Sequence, residues 1–192
     1  VRTTFLETQH YDTITCALDT MINFEKKTDD PIYVHMHIRF PHQPLVFDSD
    51  GNKIDEPIST NRFDSKLKDA YLQQLIFANK KTIEIIDSIK QKNSDAIIIV
   101  MSDHGGRFGV NWYDPSEIDY FRALSNLNAV YFPGKDHFSM DISPVNLFRI
   151  IFNLYFESDY EILEEKQIWY APAKPFNQTD ITEIIMLSNF KK

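Results

Sequence analysis

The stretch Ala96-Ile-Ile-Ile-Val-Met-Ser-Asp-His-Gly-Gly106 places the tightest condition on how this chain folds. Ala96 to Val100 are apolar without a break, which predicts a strand covered on both faces, since a half-exposed strand alternates. The run stops at Ser102-Asp103-His104-Gly105-Gly106. In open α/β sheets ligands gather just beyond the carboxyl ends of such strands. A carboxylate and an imidazole there, followed by two residues that permit a sharp turn and close backbone approach, suit a divalent metal. A polar turn closing a core strand is the plainer alternative for the same residues.

The 192 residues suit one domain with its own core, and 43% hydrophobic with 14% aromatic content excludes a disordered chain. A net charge of -8 with no basic stripe argues against nucleic acid as a partner. No apolar stretch approaches the roughly 20 residues that span a bilayer, so no transmembrane segment is expected. The single Cys16 excludes an internal disulfide. The chain opens at Val1 without an initiator Met or a signal peptide, and Val1 to Gln9 carry no periodic or capping signal, so it reads as a cut into a longer protein.

Helical spacing of Ile14, Ala17, Leu18, Met21, Ile22 and Phe24 predicts a helix from Asp12 to Lys27, ended by Asp29-Asp30-Pro31. Ile32 to Phe40 then alternates strictly, with Ile32, Val34, Met36, Ile38 and Phe40 on one side and Tyr33, His35, His37 and Arg39 on the other. Pro41-His42-Gln43-Pro44 breaks that ladder and holds His42 just past its end. His35, His37 and His42 are therefore candidates, His42 foremost. Asp48, Asp50 and Gly51 faintly suggest a calcium loop, but no glutamate completes one, and the idea is rejected.

Asp64 to Lys92 carries Leu72, Leu75, Ile76, Ile83 and Ile86 on one stripe and predicts a long amphipathic helix. Strand, helix and central strand make a β-α-β unit whose right-handed crossover renders the strands parallel. That topology would bring His42 and Asp103-His104 to one sheet edge. Further on, a short helix is expected at Ser116–Leu124 and a third strand at Asn128–Phe132. A loop containing His137, a weak candidate, follows. A proline-initiated helix should pack Val145, Phe148, Ile151, Phe152 and Tyr155 in the core. The tail from Ser158 should wrap the surface or form a small edge sheet.

These residues carry a resemblance. Ser102-Asp103-His104-Gly105 after an apolar strand resembles the metal motif of the alkaline phosphatase/sulfatase superfamily. More narrowly, four stretches resemble, in order, a sulfatase-like group whose members are often membrane-tethered. They are His37-Ile-Arg-Phe-Pro-His-Gln-Pro44 with Phe47-Asp48-Ser49-Asp50-Gly51; the helix before Ile97; the strand with Ser-Asp-His-Gly; and Asn128-Ala-Val-Tyr-Phe-Pro-Gly134 with Ile142-Ser-Pro-Val-Asn-Leu-Phe-Arg149. The set spans residues 30–165.

The resemblance implies an α/β fold: a three-layer α/β/α sandwich with a mainly parallel, alkaline-phosphatase-like sheet, truncated on its N-terminal side. Residues 1–192 would be the C-terminal portion of such a domain. It implies Asp103 and His104 as ligands of a divalent metal (Zn, Mn or Mg), His42 as a contact to the substrate's anionic group, and His37 as a motif histidine grouped with substrate binding. The substrate would be a small anionic ester, or a lipid- or glycan-linked phosphate or sulfate, handled by a hydrolase or a phosphoglycerol-type transferase. The superfamily's nucleophile and first metal-binding acid have no match here, because Thr3, Thr4 and Cys16 lack the flanking pattern. The isolated chain is thus expected to be inactive and to hold metal weakly. The alternative is a non-catalytic binding or scaffold domain that keeps the fold.

Overall fold

The computed structural model describes residues 2–54, 65–135 and 143–187, and of residues 2–7 the backbone alone. The chain divides into two units, Val1–Ala96 and Ile97–Lys192.

In the first unit, helix α1 (Arg2–Ile22) pairs with helix α2 (Ser65–Lys92). Helix α1 begins well before the periodic stripe that announced it. Its last turn leaves carbonyls that no residue of its own helix can satisfy. Side chains of α2 take them up: Ser88 Oγ donates to Ile22 O, and Lys92 Nζ donates to Ile22 O at 3.0 Å and Phe24 O at 3.2 Å.

The core of this unit is Ile14, Leu18, Val46, Phe47 and Phe77, with Met36, Ile38 and Phe40 packed against it. The expected strand at Ile32–Phe40 does not form. The segment is an extended strap with no ladder partner among the described residues. Its alternation is nevertheless real, because Met36, Ile38 and Phe40 are half-buried while His35, His37 and Arg39 are exposed.

Gln74 of α2, fully buried, fastens the chain that follows the strap. Its Oε1 accepts from Val46 N at 2.8 Å and Phe47 N at 3.2 Å. Its Nε2 donates to Pro41 O at 3.1 Å and His42 O at 3.2 Å. The core face of α2 is Leu67, Gln74, Phe77 and Ala78, rotated away from the expected stripe, of which Leu72, Ile76 and Ile83 are exposed.

The turn Asp48–Asn52 closes on itself. Asp48 Oδ1 accepts from Asp50 N and Asn52 N, and Oδ2 from Asn52 Nδ2. These bonds, led by those from Asn52, hold the Asp48 carboxyl below its usual pKa. A carboxylate so engaged caps its own turn.

In the second unit, strand β1 (Ile98–Met101) pairs with strand β2 (Asn128–Tyr131) in antiparallel register, Ile98 opposite Tyr131 and Met101 opposite Asn128. Helix α3 (Glu117–Leu124) lies between them in sequence. Asp119 Oδ2 secures its start by accepting from Ser116 N at 3.0 Å and Ser116 Oγ at 2.7 Å. Helix α4 (Pro144–Tyr155) supplies Leu147 and Ile151 to a core with Phe132, Ile97, Ile99 and Val130. The expected stripe on α4 is largely exposed at Val145, Phe148 and Phe152.

Asn146 occupies the inner face instead. It donates to Leu163 O and accepts from Leu163 N, both at 2.9 Å, which pins the returning chain. A second antiparallel pair, β3 (Ile168–Tyr170) with β4 (Gln178–Asp180), and helix α5 (Thr182–Leu187) follow, so that of the two forms expected of the tail it takes the small sheet. Trp169 and Ile181 pack with Val110 and Ala123, and Trp112 stacks on Trp169 with ring centroids 4.8 Å apart.

The fold class is therefore corrected. Among the described residues the chain is mixed α and β with two two-stranded antiparallel sheets, and the mainly parallel three-layer sandwich is absent. The β-α-β unit fails twice over, since its first strand is an unpaired strap and its second pairs with a downstream antiparallel neighbour. Within the apolar run Ile98 is buried and Ala96, Ile97, Ile99 and Val100 are half-buried, and exposure begins at Met101.

Candidate functional site

The turn after β1 is fixed by its backbone. Ser102 N donates to Leu127 O at 2.9 Å, Leu127 N donates to Ser102 Oγ at 2.8 Å, and Asn126 Nδ2 donates to Ser102 O at 3.1 Å. Gly105 N donates to Ala123 O at 2.8 Å, which draws the turn onto the end of α3. Space, rather than an unusual φ, requires glycine here. A Cβ on Gly105 would run into the carbonyl oxygen of Arg122 and come within 2.7 Å of that of Ser125. The close approach expected of this glycine pair is therefore made to the protein's own backbone.

On this base Asp103 and His104 stand side by side. His104 Nδ1 lies 2.8 Å from Gly105 O. A carbonyl only accepts, so Nδ1 carries the proton, and the neutral ring presents its lone pair at Nε2. Nε2 is 3.7 Å from Asp103 Oδ2. Metal bonds to such atoms are about 2.0–2.2 Å, so the two atoms would stand about 115–135° apart at one ion touching both, wider than the tetrahedral angle. The imidazole is mostly shielded, at 29% side-chain exposure, whereas the carboxylate is 88% exposed. As a simple ion pair the two would contribute little in that setting.

Among the described residues no group of three or more His, Cys, Asp or Glu side chains is placed to hold a metal. His137 lies outside the described residues.

His37 and His42 belong to the first unit and Asp103 and His104 to the second. The route by which His42 was to join Asp103 and His104, a shared parallel sheet edge, is lost with the β-α-β unit. His35 and His37 sit on the exposed side of the strap. His42 Nδ1 lies 2.6 Å from Gln43 O and 3.4 Å from Arg39 Nη2. The ring nitrogen donates to the carbonyl in one tautomer and accepts from the guanidinium in the other.

Sequence reasoning missed two residues. Gln74 sets the position of the His42 backbone, and a polar residue within an amphipathic helix gave no sign of it. His10, in a stretch without any pattern, lies within electrostatic reach of Arg39 and His42. Burial first, then the charges of Arg39 and His42, keep its imidazole below the usual histidine pKa. No family model, curated protein or solved structure matches the chain.

Proposed function

We propose that the Asp103–His104 turn contributes two ligands to a divalent-metal site serving a sulfatase-like hydrolase or transferase of phosphate or sulfate esters. In the parent protein, groups other than those of this chain would complete the coordination and supply the nucleophile. One observation carries this reading: Nδ1 of His104 is occupied by Gly105 O, so Nε2 is left to face the Asp103 carboxylate at 3.7 Å. Ligating histidines characteristically donate their other ring N–H to a carbonyl or carboxylate in this way. A mixed imidazole and carboxylate pair suits Zn, Mn or Mg better than Ca. The metal would polarise the ester oxygen and lower the pKa of the attacking group.

With two protein ligands most positions fall to water, so binding by this chain is weak. Calorimetric titration of Zn or Mn should give a Kd no tighter than roughly micromolar. His104→Ala and Asp103→Ala should each weaken it about tenfold or more. Affinity should decline on acidification, because the imidazole must shed its proton to ligate. Submicromolar binding indifferent to His104→Ala would place the metal elsewhere and defeat the proposal.

The absence of a third ligand among the described residues favours a second reading, a binding or scaffold domain without catalysis. The two readings divide on the parent protein, where catalysis requires a nucleophile-bearing segment. For the chain itself we expect no turnover of a generic aryl phosphate or aryl sulfate with any metal. Metal-dependent turnover abolished by Asp103→Ala would show a complete site instead.

A further inference from the structure

We propose that the exposed aromatic ridge of α4, with the segment that returns beside it, is a docking surface for a basic amphipathic helix of a partner protein. The inference goes beyond the proposed function and requires neither metal nor catalysis.

Helix α4 is apolar on two faces. Its inner face buries Leu147 and Ile151 beside Asn146. Val145, Phe148 and Phe152, with Phe156 just past the helix, stand three or four residues apart and so share a second face. All four are exposed. Phe152 joins the row together, its ring centroid 6.5 Å from that of Phe148, 5.6 Å from Phe156 and 5.8 Å from Tyr160. Single exposed apolar residues are ordinary, but a contiguous row of rings left in water marks a contact surface.

Polar side chains hold this surface in shape. Asn153 donates to Tyr160 O at 2.9 Å and accepts from Tyr160 N at 2.8 Å. Arg149 Nη1 donates to Glu161 O at 3.0 Å, and Asn146 exchanges two bonds with Leu163. The returning segment is thereby fixed along α4, and Tyr160 against Phe152. A surface ordered in advance loses little freedom when a partner binds.

Charge selects the occupant. Residues 144–165 carry Glu157, Asp159, Glu161, Glu164 and Glu165 against one basic residue, Arg149. Glu165 is engaged by Ser143 N and Asn146 Nδ2, and Glu164 pairs with Lys166. Glu157, Asp159 and Glu161 are exposed and belong to none of the ion pairs among the described residues. One follows Phe156 and the other two bracket Tyr160, so uncompensated carboxylates flank the rings. They would repel an anionic lipid surface, and a second copy of the chain would set carboxylate against carboxylate. A cationic partner with an apolar face satisfies both features. The row runs three turns, about 16 Å, and offers side chains with no open backbone edge. Such a surface suits a helix with apolar anchors at i, i+3, i+4 and i+7, rather than an added strand.

The test is calorimetric and NMR titration of the full chain with a peptide of about 18 residues, leucine at i, i+3, i+4 and i+7 and lysine elsewhere. One control peptide replaces lysine with glutamate, and another scatters the same leucines around the helix. Saturable 1:1 binding with a Kd of about micromolar is expected, with shifts centred on α4 and Tyr160, and both controls at least about tenfold weaker. Phe152→Ser should weaken binding about tenfold, and so should Asp159→Asn combined with Glu161→Gln. The second variant alters only exposed carboxylates, so it decides the matter even where Phe152→Ser loosens the helix. No saturable binding, equal binding of the glutamate peptide, or binding undiminished in the carboxylate variant would overturn the proposal. So would cosedimentation with phosphatidylglycerol vesicles, or dimerisation of the chain that Phe152→Ser abolishes, since either gives the ridge another occupant.

Discussion

Gln74→Met is expected to destabilise the first unit by about 3 kcal/mol or more, although it keeps most of the side-chain volume. The wild-type amide satisfies two backbone N–H groups, of Val46 and Phe47, and two carbonyls, of Pro41 and His42. A buried donor or acceptor left unpaired costs about 1–3 kcal/mol, and the replacement strands several at once. Gln74→Ala adds a cavity beside Val46 and Phe47 and should cost more. Hydrogen exchange at the Val46 and Phe47 amides is the direct readout, since both should lose protection before α1 and α2 do. Undiminished protection in Gln74→Met would show that apolar packing alone holds the segment.

Gly105→Ala is expected to destabilise the second unit by about 2–4 kcal/mol, with Gly106→Ala within about 0.5 kcal/mol of wild type. A methyl on Gly105 meets backbone, the carbonyls of Arg122 and Ser125, which cannot swing aside as a side chain would. On Gly106 it would meet only the Phe108 ring, at 4.0 Å, an ordinary contact. Relief at Gly105 requires the turn to leave α3, which breaks the bond from Gly105 N to Ala123 O and shifts His104. Weak metal binding should therefore disappear together with the stability. Denaturant melts of both variants decide the matter: equal effects at the two glycines would mean that the turn moves freely.

What could be read in advance divides by whether a property is local. α3 was expected at Ser116–Leu124, and α4 was announced by Ser143-Pro144. The turn after β1 was announced by the halt in apolar residues. Alternation over Ile32–Phe40 was also a sound signal, but of less than it was taken to mean. It marks an extended backbone with one apolar side, and a strap across two helices uses that side as fully as a strand in a sheet does. Pairing is not encoded in the period. Likewise Ala96–Val100 does not state its partner, and Asn128–Tyr131 claims it in the opposite sense.

The helix faces were misjudged for a different reason. Gln74 and Asn146 are buried amides that clamp passing backbone, each at the centre of its helix's inner face. A stripe drawn through apolar residues alone must miss them, and it turns the helix away from its true core. Of the candidate site, the adjacency of Asp103 and His104 was legible, because neighbours in sequence need no fold to bring them close. His10 was not legible, since only the strap lying near α1 associates it with Arg39 and His42.

The Gln74 clamp also orders events during folding. Its partners lie 27 to 33 residues earlier in the chain, and one side chain must be in place to receive all of them. Helices consolidate faster than distant segments meet, so α2 exists before the segment it grips arrives. The histidine-bearing stretch thus settles after the helix that grips it, and its hold on that helix rests on a single side chain.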